Sequence, residues 1–234
     1  MKVAIDADSL IYAANANMKK KGQSLDEAFS WIEMRIDNIK SQFELEFNEV
    51  VDVCKVVLSS QLNFRKEIDA TYKANRTEKP QGVKDLYKML HESALNIECK
   101  KGFEADDVVV WLNKYFDYEV ASPDKDVKRQ LHSCFDYQKN VFLGINTDEN
   151  IEFNIWAQCL EGDKDDNIKG VMGCGPKFAN QTLMSSGYDV TLMTELFESF
   201  EEFEKTMRLI RLDQMDKDGN LVLWKVEESP YAIY

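Results

Sequence analysis

The chain has 234 residues, 44% hydrophobic and 11% aromatic, with a formal net charge of −13. That length fits one domain with a small appendage and a sizeable core, and no apolar run approaches the ~20 residues of a membrane span. Five scattered cysteines without a CxxC pair, and only two histidines, His91 and His132, exclude a disulfide framework, a cysteine zinc site and a His-rich metal site. The acidic total argues against nucleic acid when taken alone, because phosphate neutralisation dominates that binding. Its carboxylates cluster at expected strand ends, however, where divalent ions would cancel part of the charge.

Lys2 to Ile5 reads as a short buried strand ending at Asp6-Ala7-Asp8-Ser9. A carboxylate at the end of a first strand lies where open α/β sheets place their ligands. Asp6 is therefore read as a metal ligand, and Asp8 as the N-cap of a helix over 10–14. The first carboxylate comes too early for a secretory signal, which with the unpaired cysteines points to a cytoplasmic protein. Leu25, Phe29, Ile32, Ile36, Ile39 and Phe43 recur at helical spacing and predict a long amphipathic helix, with Asp26 and Glu27 in its first turn. Val50 to Leu58 reads as a second buried strand, ended by Ser59-Ser60. Phe64-Arg65-Lys66, Tyr72-Lys73-Ala74-Asn75-Arg76 and Lys79 form the main basic and aromatic cluster. Such cations can hold phosphates and Tyr72 offers a face to a base; a solvated charged loop is the plainer alternative.

Leu86, Met89, Leu90, Ala94 and Leu95 mark another helix. Glu104 precedes a further one, with Asp106 and Asp107 in its first turn and Val108, Trp111, Leu112 and Tyr115 on its buried side. The helix dipole favours acids there, and three of them beside a strand end also suit a divalent ion. Tyr118 to Ala121 reads as a strand, and Asp124 and Asp126 follow it. A helix is expected over 127–131, then a meander of short strands over 135–140, 141–145 and 151–153. Trp156 to Leu160 leads helically into the stretch Gly162 to Ala179.

That stretch has an acidic half, Asp163, Asp165 and Asp166, and a glycine half, Gly170, Gly173 and Gly175, followed by Pro176 and Lys177. Clustered carboxylates repel unless a hard cation binds them. A tight glycine turn feeding a helix N-terminus presents free N–H groups to anions. Fused, the two halves suggest chemistry on a phosphodiester. Beyond them the helix reaches Met184 and stops near Gly187, and two more are expected over 192–200 and 203–212. Asp216-Lys217-Asp218-Gly219 is a turn and not a calcium loop, since Gln214 and Lys225 would take its first and last ligand positions. Strands alternate with helices up to about residue 160, which predicts an α/β domain with a largely parallel sheet.

Ile5-Asp6, Phe64-Arg65, Tyr72-Lys73 with Arg76, Glu104-Ala105-Asp106-Asp107, Asp124-Lys125-Asp126 and the Gly162–Gly175 stretch come in the order of the flap endonuclease / 5′-nuclease family. The chain resembles the short bacteriophage 5′-3′ exonuclease members over about residues 1–185. The resemblance implies a PIN-like α/β nuclease core over 1–160, a helix–three-turn–helix DNA-binding region over 161–215 and a tail over 216–234. It implies two Mg²⁺ or Mn²⁺ ions, the first served by Asp6, Glu104 and Asp106, the second completed by Asp107, Asp124, Asp126, Asp163 and Asp166. Lys73 and Arg76 would contact the scissile phosphate as catalytic cations. DNA contacts would come from Arg65, Tyr72, Gly170, Gly173, Gly175 and Lys177. Val171 and Cys174 would hold K⁺ through backbone carbonyls. The implied activity is metal-dependent 5′-3′ exonuclease or flap endonuclease action on DNA or an RNA–DNA hybrid in phage or bacterial replication, by a monomer beside replication proteins and away from membranes. The chain departs from the family pattern in three places: Ser59-Ser60 where an Asp is usual, a short segment between Lys73 and Glu104, and Asp165 where a Ser is common. Two other readings stand beside it. One is a haloacid-dehalogenase-like phosphatase, from Asp6-Ala7-Asp8-Ser9. The other is a non-catalytic DNA-binding module; a PIN-type ribonuclease would share the fold and metals.

Overall fold

The structure is a computed structural model that describes residues 1–229 and Ala232; Pro230, Tyr231, Ile233 and Tyr234 of the expected tail lie outside the described residues. In chain order the elements are β1 (Lys2–Asp6), α1 (Asp8–Lys21), α2 (Leu25–Phe47), β2 (Val53–Val57), α3 (Arg65–Ile68), α4 (Gln81–Glu92), β3 (Ile97–Glu98), α5 (Ala105–Phe116), β4 (Glu119–Ala121) and α6 (Lys125–Gln130). They continue with β5 (Cys134–Asp136), β6 (Val141–Leu143), α7 (Asp148–Glu161), β7 (Gly162–Asp163), β8 (Ile168–Lys169), α8 (Pro176–Ser186), α9 (Val190–Leu196) and α10 (Phe200–Ile210). No described helix is long and apolar enough to cross a membrane. The chain divides into two compact units, Met1–Leu62 with Thr77–Lys128 and Ser133–Gly144, and Asn63–Arg76 with Arg129–His132 and Ile145–Tyr234. The division is not sequential. The boundary expected after residue 160 falls inside α7, which belongs wholly to the second unit.

The first unit holds a six-stranded sheet in the order β3-β2-β1-β4-β5-β6, parallel except for β6, which runs antiparallel to β5. β1 is central, with Asp6 opposite Val57 and Ile5 opposite Ala121. Val3, Ala4 and Ile5 are fully buried, as expected of a parallel strand covered on both faces. The long helix α2 begins at a capping box: Ser24 N–H donates to Glu27 Oε2 at 2.7 Å, and Glu27 N–H to Ser24 Oγ at 3.2 Å. Its buried stripe, Ala28, Ile32, Ile36, Ile39 and Phe43, packs into the core, and the Phe43 ring stands edge-on to Phe135 and Phe142. Helix α1 runs well past the expected 10–14, because Ala-Asn-Ala-Asn-Met-Lys offers no breaker before Gly22 at φ 68°. Its N-cap is Ala7, without a side-chain bond, so the capping role expected of Asp8 is not what the structure gives it.

The second unit is helical around one small hairpin. The strand expected over 151–153 is part of α7, started by the Thr147 hydroxyl accepting from Asn150 N–H at 3.2 Å. A three-residue apolar alternation is also compatible with one side of a helix, and the buried Ile155, Trp156, Cys159 and Leu160 extend it at helical spacing. Trp156 donates its indole N–H to Glu152 at 3.1 Å, and Glu152 pairs with the buried Arg211 at 2.8 Å. Beneath the same core Arg65, 1% exposed, donates from Nε to the Leu209 carbonyl and from a terminal nitrogen to the Arg211 carbonyl, both at 2.7 Å. At the foot of α7, Gly162 at φ 71° and Gly170 press backbone to backbone. A Cβ on Gly162 would meet Gly170 N at 2.4 Å, and one on Gly170 would meet Leu160 O at 2.4 Å. Val171 N–H then donates to Leu160 O at 2.8 Å and closes the turn onto the helix.

Two outcomes follow for stability, both read as urea unfolding midpoints of the whole chain. Arg65→Ala strands two buried carbonyls and opens a cavity, a loss of roughly 3 kcal/mol or more. Arg65→Lys recovers less than half of it, because one ammonium cannot replace the two-pronged guanidinium. Gly170→Ala costs on the order of 2–4 kcal/mol through backbone overlap. Gly175→Ala, whose Cβ meets nothing within 4 Å, costs under about 1 kcal/mol.

Candidate functional site

Parallel strands bring their carboxyl ends to one edge of the sheet, and there stand Asp6 after β1, Asp124 after β4 and the start of α5 beside the end of β2. Asp6 ends β1 and is 3% exposed. Its Oδ2 accepts from the Ser122 hydroxyl at 2.8 Å, its Oδ1 from Asp8 N–H at 3.2 Å, and its carbonyl from the Tyr137 hydroxyl at 2.7 Å. Burial pushes the Asp6 carboxyl up to about 7, and the charges of Asp8 and Asp124 add to the rise against the Ser122 hydrogen bond. Ser122 follows β4 and is fully buried; its oxygen also accepts from Asp124 N–H at 3.0 Å. Asp124 in turn accepts from Asp126 N–H at 2.7 Å, which starts α6. One hydroxyl thus ties the end of β1 to the end of β4.

The end of β2 is tied in by two serines. Ser59 N–H donates to Asp8 Oδ1 at 3.2 Å, and Ser59 Oγ accepts from Ala105 N–H at 2.9 Å. Ser60 N–H donates to the Phe103 carbonyl at 2.9 Å, and its Oγ accepts from Gly102 N–H at 3.2 Å. These bonds fix the start of α5, where Glu104, Asp106 and Asp107 lie. Asp107, 1% exposed, accepts from Glu104 N–H at 3.0 Å and so closes the helix start. Among the described residues no group of three or more His, Cys, Asp or Glu side chains stands as a ready metal cage. The chemistry of the donor set nevertheless fits a hard divalent ion: carboxylate oxygens alone, with the Asp6 carboxyl raised by burial and then by its acidic neighbours.

In the second unit the basic segment lies against the acidic turn between β7 and β8. Asp163, 5% exposed, closes that turn by accepting from Asp165 N–H at 2.9 Å and Asp166 N–H at 3.3 Å. Lys73, at φ 55°, donates its N–H to the Asp166 carbonyl at 2.8 Å. Its ammonium lies 3.5 Å from Asp166 Oδ2, which also accepts from the Tyr72 hydroxyl at 3.2 Å. Arg76 pairs with Asp166 Oδ1. Asn75 donates to the Lys164 carbonyl at 2.9 Å, and Asn167 to the Thr71 carbonyl at 2.8 Å.

Lys73 and Arg76 are therefore brought together, and Asp166 with them. Two of the residues expected at DNA are placed otherwise. The Arg65 guanidinium is consumed by backbone carbonyls inside the core, and Tyr72 is 3% exposed, which leaves no ring face for a base. Gly170 has its reason in the backbone contact with Gly162. Gly173 at φ 77° and Lys177 are exposed, Gly175 is the N-cap of α8, and Val171 and Cys174 are half-buried, with the Val171 carbonyl accepting from Cys174 N–H at 3.0 Å. Sequence reasoning missed Ser59, Ser122 and Tyr137. The available signal was a hydroxyl standing one residue past a buried strand, at Ser59 after Leu58 and at Ser122 after Ala121.

Comparison with known proteins gives this geometry its relatives. The chain is 32% identical over 152 residues to DNA polymerase I of Rhizobium leguminosarum, covering 57% of this chain and 15% of the polymerase. It is 29% identical over 140 residues to a 5'-3' exonuclease of Aquifex aeolicus, covering 53% of this chain and 48% of that protein. The chain thus spans less than half of either relative. Its fold matches that of bacteriophage T5 flap endonuclease, solved as a pseudo-enzyme–product complex with DNA and metal ions, at a TM-score of 0.65 and 17% identity over 91% of this chain and 89% of that one. The mostly parallel sheet flanked by helices is therefore the PIN-like fold. Residues 2–151 match the family described as 5'-3' exonuclease, N-terminal resolvase-like domain, and the chain belongs to that family.

Proposed function

We propose that the protein is a divalent-metal-dependent 5′-nuclease that hydrolyses DNA phosphodiesters as a 5′-3′ exonuclease or flap endonuclease. The observation that carries this reading is the row of carboxylates at the carboxyl edge of the parallel sheet, within a chain of the 5'-3' exonuclease family. Asp6, Glu104, Asp106, Asp107, Asp124 and Asp126 are the residues that would hold two Mg²⁺ or Mn²⁺ ions. Bound there, such ions supply charge that activates a water and stabilises the leaving oxygen of an in-line displacement. The chain's own part is to align those carboxylates and to shield them partly from bulk water. Ser122 and Ser59 do the aligning.

Lys73 and Arg76 would take the oxygens of the scissile phosphate, where preorganised cations stabilise developing charge. Gly173, Gly175 and Lys177 stand at an exposed helix start suited to backbone phosphates of duplex DNA. K⁺ at the carbonyls of Val171 and Cys174, and a place in phage or bacterial DNA replication, belong to the same reading by resemblance. So does a ligand role for Asp163. The phosphatase reading would make Asp8 an acid; in the structure its Oδ1 accepts from Ser59 N–H.

The test uses a duplex with a 5′ flap, labelled at the 3′ end of the flap strand, incubated in Mg²⁺, in Mn²⁺ and in EDTA. Cleavage at the junction or a 5′-to-3′ ladder is expected with either metal and not with EDTA. Asp6→Asn and Asp124→Asn each slow it by about 100-fold or more. A duplex that is bound but never cut in either metal would replace the nuclease by a DNA-binding module, a reading favoured by the serines at the end of β2.

A further inference from the structure

We infer that Asp8 is a further metal ligand of the acidic edge, and that it brings from the start of α1 the carboxylate that the end of β2 lacks. The inference deepens the metal-dependent nuclease reading and rests on it. Asp8 is the first residue of α1, yet its side chain makes no cap there, since the N-cap is Ala7 without a side-chain bond. It reaches sideways instead. Asp8 Oδ1 accepts at 3.2 Å from Ser59 N–H, 51 positions along the chain and just past the end of β2. Its own N–H donates to Asp6 Oδ1 at 3.2 Å. One residue thus touches the buried carboxylate of β1 through its amide and the end of β2 through its carboxylate. The register delivers the two segments side by side up to this point, with Asp6 opposite Val57 and Ala7 N–H donating to the Val57 carbonyl at 3.0 Å.

The surroundings of Asp8 suit a ligand better than a strut. Ser59 N–H is a neutral donor to one oxygen. A carboxylate offers about four lone-pair sites, so this bond orients the group and leaves capacity for a cation. Ligating carboxylates are held by outer bonds of this kind. Asp8 is half-buried, as are Glu104, Asp106 and Asp124, so an ion can reach it from solvent. The acids also share their neighbours. Burial, and after it the charges of Asp6, Asp8 and Asp106, raise the Tyr137 hydroxyl. Burial, and after it Asp8 and then Asp6, raise the hydroxyl of Tyr87 on α4, whose oxygen is buried. Acids from β1, α1 and α5 therefore gather near the same phenols. Placing a second carboxylate beside Asp6 costs stability through like-charge repulsion. The helix dipole alone would be served equally well by a side chain turned out to water. A hard divalent ion makes the inward placement favourable.

The test follows Mn²⁺ itself. Asp8→Asn keeps an acceptor for Ser59 N–H and removes the charge. Asp8→Asn combined with Ser59→Asp returns a carboxylate to the end of β2, at some cost to the bond from Ala105 N–H. Mn²⁺ affinity of each whole chain is read from the electron paramagnetic resonance of the free ion, with Asp124→Asn as the reference for loss of a proposed ligand. Asp8→Asn is expected to hold at least one Mn²⁺ about tenfold more weakly, and the double variant to regain about threefold or more. The urea midpoint of metal-free Asp8→Asn stays level with the parent or rises, because a repulsion is removed, and added Mn²⁺ raises it less than it raises the parent's. Cleavage of the 5′-flap duplex by Asp8→Asn needs about tenfold more Mn²⁺ to reach half its full rate. An Asp8→Asn affinity within about twofold of the parent, with Asp124→Asn weakened, overturns the inference and leaves the nuclease reading standing. A double variant no better than Asp8→Asn alone also overturns it, as does a metal-free midpoint that falls, which would make Asp8 a structural tie to β2. A parent chain that binds no Mn²⁺ overturns both readings together.

Discussion

A carboxylate at the end of a central buried strand has lost most of its water, and everything around Asp6 answers that loss. Two neutral donors reach it, the Ser122 hydroxyl and the Asp8 N–H, while the Tyr137 hydroxyl donates to the backbone carbonyl of the same residue. None carries a positive charge, so the cost of burying the anion is reduced but not cancelled. The neighbours Asp8 and Asp124 raise it further. A protein that wanted stability alone would place an arginine or an apolar residue here. This one keeps a buried carboxylate, and the order β2-β1-β4 brings the ends of three parallel strands beside it.

The second unit handles charge in the opposite way. Two acids of its hairpin are met within the unit, Asp163 by the amides of its own turn and Asp166 by Lys73 and Arg76. Arg65 and Arg211 are buried against acceptors, backbone carbonyls for one and Glu152 with Asp213 for the other. Satisfied cations and acids of this kind build a frame. What the frame presents is the outward-reaching Arg76 and the exposed glycine turn before α8.

Much of this was legible in the sequence where one physical signal dominated. The helical stripe from Leu25 to Phe43 became α2, and the buried run before Asp6 became β1, because periodicity and burial leave little choice there. The strand expected over 151–153 was lost because three residues cannot separate a period of two from one of 3.6. Arg65 and Tyr72 misled for another reason. A basic and an aromatic residue beside each other suit a nucleic acid, and equally suit the floor of a helical unit that must satisfy the carbonyls at the end of α10. Only the position of those carbonyls, far away in sequence, separates the two. Gly170 had the right importance for a different cause, since its partner Gly162 lies across a hairpin that composition does not reveal.

The departure at the end of β2 takes on a different meaning in three dimensions. Read along the chain, Ser59-Ser60 subtracts an acid from the expected set. In the fold, Ser59 N–H receives the carboxylate of Asp8, so a negative charge sits against the end of β2 although β2 supplies none. The freed Ser59 hydroxyl is then available to hold Ala105 N–H, and an acid in its place would have to choose between that amide and a cation. The serine therefore fixes the start of α5 without adding repulsion to an edge already crowded with carboxylates. The carboxylate beside the end of β2 comes from the start of α1, and the Ser59 hydroxyl ties the end of β2 to the start of α5.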